Sequence, residues 1–185
     1  MINECSFAVS TNESRPVYMG TLFEIAHNEL TMVSVDGYRL ALRRDRNCFL
    51  IIEEVALERL KTTSVLLSRR LEGDFLNYKK AIPESFRITV KTARTDLLDV
   101  VERVSLIVDS KNNAPLRLTF RKDAIDFVCT TPLGKAADSC PCEGDGGDLE
   151  IGFNDHYLSD ALKAAPADEI NVCLNTGSSP GILGR

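Results

Sequence analysis

The chain has 185 residues, 44% of them hydrophobic and 26% charged, with a formal net charge of -5. That length and apolar content are enough to build a real core, in one domain or two small ones. The negative balance argues against a protein whose whole surface coats nucleic acid or an anionic membrane, and leaves only a local basic face open.

No apolar run approaches the ~20 residues that span a bilayer. The opening Met1-Ile2-Asn3-Glu4-Cys5 lacks the charged-then-apolar order of a signal peptide, so a cytoplasmic protein is expected. The cysteines, at positions 5, 48, 129, 140, 142 and 173, are scattered among strand-like residues and read as small buried apolar side chains. Cys140 and Cys142 form the one close pair, and no second pair or nearby His completes a zinc site.

In chain order, residues 7–10 read as a short strand. A turn-rich loop at 11–16 comes next, and 22–25 continue as strand. His27, Asn28 and Glu29 form a turn. Residues 30–35 and 38–42 flank Asp36-Gly37, a strong hairpin signal, and predict an antiparallel meander. The period changes at 51–60, where Ile52, Val55, Ala56 and Leu60 recur three or four apart behind Glu53 and Glu54, predicting a helix. Thr62-Thr63 ends it, and 64–67 return to strand. Residues 67–83 then join two unequal halves. Leu71, Phe75, Leu76, Tyr78 and Ile82, punctuated by Gly73 and Pro83, predict a strand end running into an ordered connector, since a solvated linker carries fewer large apolar side chains.

The second half predicts a strand at 86–90 and a helix capped by Thr92 or Thr95 that carries Leu97, Leu98, Val101, Val104 and Ile107. Asn112-Asn113-Ala114-Pro115 is the stop signal after that helix. Strands are predicted at 116–120, 124–129 and 135–142, then a turn at 144–148. There the order starts again: strand 149–153, Asn154 as N-cap, a helix with Tyr157, Leu158, Ala161 and Leu162, and strand 169–174. A strand-helix-strand-strand-strand unit used twice predicts an α+β domain, two helices packed on antiparallel sheets. Parallel doubly wound folds, which alternate strand and helix throughout, are excluded.

Catalytic and cofactor signatures are missing from the sequence. It has no Gly-x-Gly-x-x-Gly after a strand, no Gly-x-Ser-x-Gly elbow and no Walker loop. The acidic turn at 144–148 lacks the spaced ligands of a calcium loop. His27 and His156 have no Cys or Ser partner in a recognisable pattern and read as surface residues. No catalytic residue, metal or cofactor is therefore expected. A small hydrolase with an acidic site around Asp145 and Asp148 is the rival from another class.

At Met32-Val33-Ser34-Val35-Asp36-Gly37-Tyr38-Arg39-Leu40-Ala41 the chain resembles the bacterial DNA polymerase III beta subunit, the sliding clamp. Three further stretches carry the resemblance. They are Arg15-Pro16-Val17-Tyr18-Met19-Gly20-Thr21-Leu22-Phe23-Glu24, Leu71-Glu72-Gly73-Asp74-Phe75-Leu76-Asn77-Tyr78-Lys79-Lys80-Ala81-Ile82-Pro83, and Leu149-Glu150-Ile151-Gly152-Phe153-Asn154. The resemblance implies a DNA-clamp fold, with 1–83 a partial middle domain that begins partway through its opening helix. Residues 84–185 would be a third domain lacking its last strand. It also implies a missing first domain and a hairpin lost between Lys61 and Ser64.

The family is a processivity factor without its own catalytic site: a head-to-tail ring of two subunits around duplex DNA, on which polymerase, clamp loader and repair proteins dock through short peptides. The resemblance places the peptide pocket at Tyr18, Val35, Gly37, Tyr38, Arg39, Leu40, Leu76, Lys80, Ala81, Asn154, Tyr157 and Ser179. Leu40, Leu76 and Ala81 offer an apolar floor, Gly37 permits close backbone approach, and Arg39 and Lys80 meet carbonyls or an acid. Sequence-independent DNA contact is implied for Arg15, Arg59, Lys61, Arg103 and Lys163. A dimer contact is implied for Leu106 and Ile107, with exposed apolar area and self-association there. A degenerate clamp that keeps peptide docking without forming a ring is the second reading.

Overall fold

The computed structural model describes residues 1–26, 28–46, 70–108 and 114–184. Expectations for His27, Cys48, the helix at 51–60 with Arg59, Lys61, Thr62-Thr63, the strand at 64–67 and the stop at Asn112-Asn113 lie outside the described residues. The chain divides into two compact units, Met1–Leu76 and Asn77–Arg185.

In the first unit one helical turn, α1 (Ile2–Cys5), runs into a 3₁₀ turn at Ser6–Ala8. The strand expected at 7–10 is therefore not formed. A helical path lets Cys5 and Ala8, three apart, face the same way, and both are buried with Leu30, Met32 and Ala41. An extended strand would turn one of them outward. Three antiparallel strands come next, β1 (Leu22–Ala26), β2 (Glu29–Val35) and β3 (Leu40–Arg46), as the predicted meander. Val35 pairs with Leu40, so the hairpin loop is the four residues from Asp36 to Arg39, two more than Asp36-Gly37 alone predicts.

The described part of the connector, from residue 70 onward, contains no strand and is ordered by packing. Adding a Cβ to Gly20 would bring it to 2.7 Å from Leu71 Cδ1. Gly73, at φ 118, lies beside Val17, and Phe75 meets the Tyr18 ring edge-on at a centroid distance of 5.7 Å.

The second unit runs β4 (Ile88–Ala93), α2 (Arg94–Ser105), β5 (Leu116–Phe120), β6 (Ala124–Thr131) and β7 (Gly134–Pro141). It continues with β8 (Leu149–Phe153), α3 (Asp155–Ala164), β9 (Glu169–Leu174) and the short β10 (Ile182–Gly184). Strands β5, β8 and β9 occupy the residues predicted for them. The sheets have the orders β7-β6-β5-β8 and β10-β9-β4, with every pairing antiparallel.

The two repeats exchange strands. The first strand of the second repeat, β8, pairs with β5, and the first strand of the first repeat, β4, pairs with β9. Leu97, Val100, Val101 and Val104 on α2 and Leu158 and Leu162 on α3 fill the space with Val90, Phe120, Phe127 and Leu174. Each such side chain, fully buried, contributes ~1.5–3 kcal/mol.

Neither threonine caps α2. Its N-cap is Ala93, the Arg94 amide donates to Asp168 O at 2.7 Å, and Thr92 is spent on Pro141 O at 2.8 Å. Strand β4 stays paired through Ala93, which leaves Thr92 in extended backbone, one residue short of the cap. Asn154 does cap α3, its Oδ1 accepting from the Tyr157 amide at 3.1 Å. Of the described cysteines, 5, 129, 140 and 142 are buried and 173 is half-buried.

Candidate peptide and nucleic-acid surfaces

The β2–β3 turn is built by Asp36. Its Oδ1 accepts from the amides of Tyr38 at 2.9 Å and Arg39 at 3.0 Å, while Oδ2 takes Arg39 Nε at 2.8 Å. The Asp36 amide donates to Arg39 O at 3.2 Å, and Gly37 supplies φ 97, a conformation that favours glycine. The turn presents Tyr38, 84% exposed, with Gly37 also exposed, Leu40 half-buried and Val35 buried beneath. The Arg39 guanidinium is already engaged within the unit by Asp36 and stacks 5.4 Å above the Phe7 ring. Asp36 and Phe7 are the supporting residues that the sequence reading missed; a carboxylate three residues before Arg39 in a hairpin loop was the available signal.

Elsewhere in this unit, Tyr18 is half-buried against Phe75, with the Arg15 guanidinium 5.9 Å from its ring. Leu76 is 40% exposed.

In the second unit Lys80 and Ala81 are exposed at the end of a 3₁₀ turn that buries Tyr78. Asn154 and the half-buried Tyr157 sit together at the start of α3. Ser179 closes its own turn, its Oγ accepting from the Thr176 amide at 2.8 Å and donating to Thr176 O at 3.1 Å. The loop that bears it lies on β8: a Cβ on Gly177 would strike Glu150 O, and one on Gly181 would come to 3.2 Å from Phe153 Cζ. Ser179 is thus on the loop beside the strand end that leads into Asn154.

Two shallow depressions run along α2. One, of about 240 Å³, is lined by Asp99, Glu102, Arg103 and Leu106; the other, of about 200 Å³, includes Asp96, Asp99, Arg103 and Ser139. Neither is lined by a residue named for peptide binding. The two described helix cations named for DNA contact are both in ion pairs. Arg103 Nε is 2.8 Å from Asp138 Oδ2 and Lys163 Nζ is 2.8 Å from Glu102 Oε1. The Arg103 hydrogen bond, reinforced by the Ser139 amide, lowers the Asp138 pKa, and the Glu102 hydrogen bond and charge raise that of Lys163.

Leu106, just past α2, is 84% exposed, whereas Ile107 packs inward on the core. Asp145 accepts from the Gly147 amide of its own turn at 2.8 Å, and Asp148 pairs with Arg121 of the β5–β6 turn. Among the described residues no group of His, Cys, Asp and Glu side chains is placed to hold a metal ion, and no helix is long and apolar enough to cross a membrane.

The exchanged strands and paired helices of the second unit are those of the DNA clamps. Solved structures that share the fold include the DNA polymerase III beta subunit of Thermotoga maritima, with a TM-score of 0.83 and 25% identity over 99% of this chain and 58% of that one. Another is a sliding clamp of Bartonella birtlesii bound to griselimycin, with a TM-score of 0.82 and 24% identity over 100% and 59%. The family model for the DNA polymerase III beta subunit, C-terminal domain, matches residues 79–185, and that for the central domain matches residues 1–48. The chain belongs to the DNA polymerase III beta-subunit family, the bacterial sliding clamps.

Beta sliding clamps of Staphylococcus aureus and Staphylococcus epidermidis are each 30% identical over 214 residues, 99% of this chain and 57% of theirs. The chain thus spans little more than half the length of these relatives. The 214 aligned positions also exceed its 185 residues by 29, so at least that many positions of the relatives have no counterpart within the alignment.

Proposed function

We propose that the chain works in DNA replication as a clamp subunit or clamp-derived platform, docking short peptides of polymerase, clamp-loader and repair proteins and performing no catalysis itself. In this reading 1–83 act as the middle domain and 84–185 as the third. Processivity comes from a head-to-tail ring around duplex DNA in the cytoplasm. Leu106 serves the ring contact, with Ile107 supporting it from the core side, and Arg15, Arg59, Lys61, Arg103 and Lys163 serve the phosphate contacts.

The observation that carries the proposal is the β2–β3 turn. Asp36 locks it from below, leaving Gly37 and Tyr38 at an exposed tip beside Leu40. A rigid, partly apolar tip loses little freedom when an extended peptide settles on it. In the first unit Tyr18 and Leu76 share the proposed docking role, with Val35 as support; in the second unit the resemblance assigns it to Lys80, Ala81, Asn154, Tyr157 and Ser179.

A fluorescent peptide with Leu and Phe anchors, titrated against the whole chain, tests this reading. Tyr38→Ala, Arg39→Ala and Leu40→Ala are each expected to weaken binding about tenfold. Unchanged affinity in all three removes the assignment.

A further inference from the structure

The face made by α2, α3 and β7 belongs to one unit, and it carries the two described helix cations of the DNA reading. Glu102 and Arg103 are adjacent on α2, and the ion pairs leave in different directions, Arg103 to Asp138 on β7 and Glu102 to Lys163 on α3. Asp138 is anchored further by the Ser139 amide at 2.8 Å. Asp96 and Asp99 stand exposed earlier on α2, and Asp160 lies one turn before Lys163. The remaining α2 cation, Arg94, turns away to donate to Ala167 O at 3.0 Å. Arg103 and Lys163 therefore stand among the five carboxylates Asp96, Asp99, Glu102, Asp138 and Asp160.

Phosphate binding depends on cations whose donors are available and on a field that gathers counter-charge. On this face a phosphate must displace a carboxylate from each cation, and it meets further carboxylates on the same helices, whose repulsion is screened only over a Debye length of roughly 8 Å. We infer that Glu102 and Asp138 are attenuators of nucleic-acid affinity: by occupying Lys163 and Arg103 they keep this helical face from gripping a polyanion, so that a duplex passes over it without being held. The inference rests on the reading of α2 and α3 as a DNA-facing surface. It assigns to two residues, neither of them basic, control over how strongly that surface holds. Solvent-exposed ion pairs contribute little to folding, so neutralising the acids is expected to leave the far-UV circular dichroism and unfolding midpoint unchanged.

The test uses the whole chain and a fluorescein-labelled duplex of about 30 base pairs, read by anisotropy from low to physiological salt. Glu102→Gln with Asp138→Asn is expected to raise low-salt affinity at least tenfold and to steepen the log–log salt slope by about 1.8, ~0.9 for each released cation. Adding Arg103→Gln and Lys163→Gln should abolish the gain. Lys163 is also titrated by NMR, where Glu102→Gln should bring its raised pKa back down.

If the Lys163 pKa does not move, the pair does not exist in solution and the inference fails whatever the DNA result. If the pair is released and duplex affinity is unchanged from a weak wild type, the inference and the DNA-facing reading of α2 and α3 both fall. If the wild type already binds with a salt slope that Arg103→Gln and Lys163→Gln remove, and Glu102→Gln with Asp138→Asn changes nothing, attenuation is refuted while the DNA reading stands.

Discussion

Asp36→Ala isolates the residue on which the proposed docking tip depends. The carboxylate accepts from two amides at 2.9 and 3.0 Å and from Arg39 Nε at 2.8 Å, in a turn where Asp36 and Arg39 are both largely shielded. Each backbone bond contributes ~0.5–1.5 kcal/mol net, and the partly exposed ion pair adds a few tenths. Alanine should therefore destabilise the hairpin by about 2 kcal/mol. Asparagine keeps the Oδ1 acceptor and loses only the charge, so it should cost about 0.5 kcal/mol.

The chain has no tryptophan, and its two units need not unfold together, so a global fluorescence melt is the wrong measurement. Amide hydrogen exchange along β2 and β3 reads the local opening directly. Asp36→Ala is expected to speed exchange about 30-fold, the equivalent of 2 kcal/mol, while leaving β5 and β6 unaffected. Exchange within threefold of wild type, or equal effects of Ala and Asn, would refute the claim that side-chain geometry holds the turn.

Two further predictions concern the second unit. Asn154→Ala removes the cap on α3 and should cost about 1 kcal/mol, with Asn154→Asp close to neutral; urea unfolding followed by circular dichroism measures both. The Cys140 thiol is pushed up to about 11 by burial from an ordinary 9. Between those values the unfolded chain loses a proton that the folded chain keeps. Its contribution is thus intact below pH 9 and lost as pH rises toward 11, by an amount on the order of 2–3 kcal/mol. Comparing denaturation at pH 8 and pH 10.5 should show a smaller fall for Cys140→Ala than for wild type, and an identical fall would dismiss Cys140 as the source.

Much of the second unit was legible in the sequence because its signals are local and agree with one another. Strands β5, β8 and β9 were predicted at their observed bounds, and Asn154 announced α3 because its cap bond goes to an amide only three residues away. The strand-helix-strand opening of each repeat also came from pattern alone, but after α3 the described residues form only β9 and β10 where the repeated unit predicts three strands. Tertiary structure decided wherever a distant partner outbid a local preference. Residues 7–10 have strand-like composition, yet packing of Cys5 and Ala8 on Leu30 and Met32 imposed a 3₁₀ turn. Pairing of β4 with β9 kept Thr92 extended and gave its hydroxyl to Pro141, so the expected cap never formed.

The proposed sites divide in the same way. Sequence placed Gly37, Tyr38, Arg39 and Leu40 together because they are neighbours in one hairpin. Only the fold showed that Asp36 and Phe7 engage Arg39, and that Glu102 and Asp138 engage Lys163 and Arg103. A basic residue is visible in a sequence, but the charge it offers a ligand depends on which carboxylate the fold sets beside it.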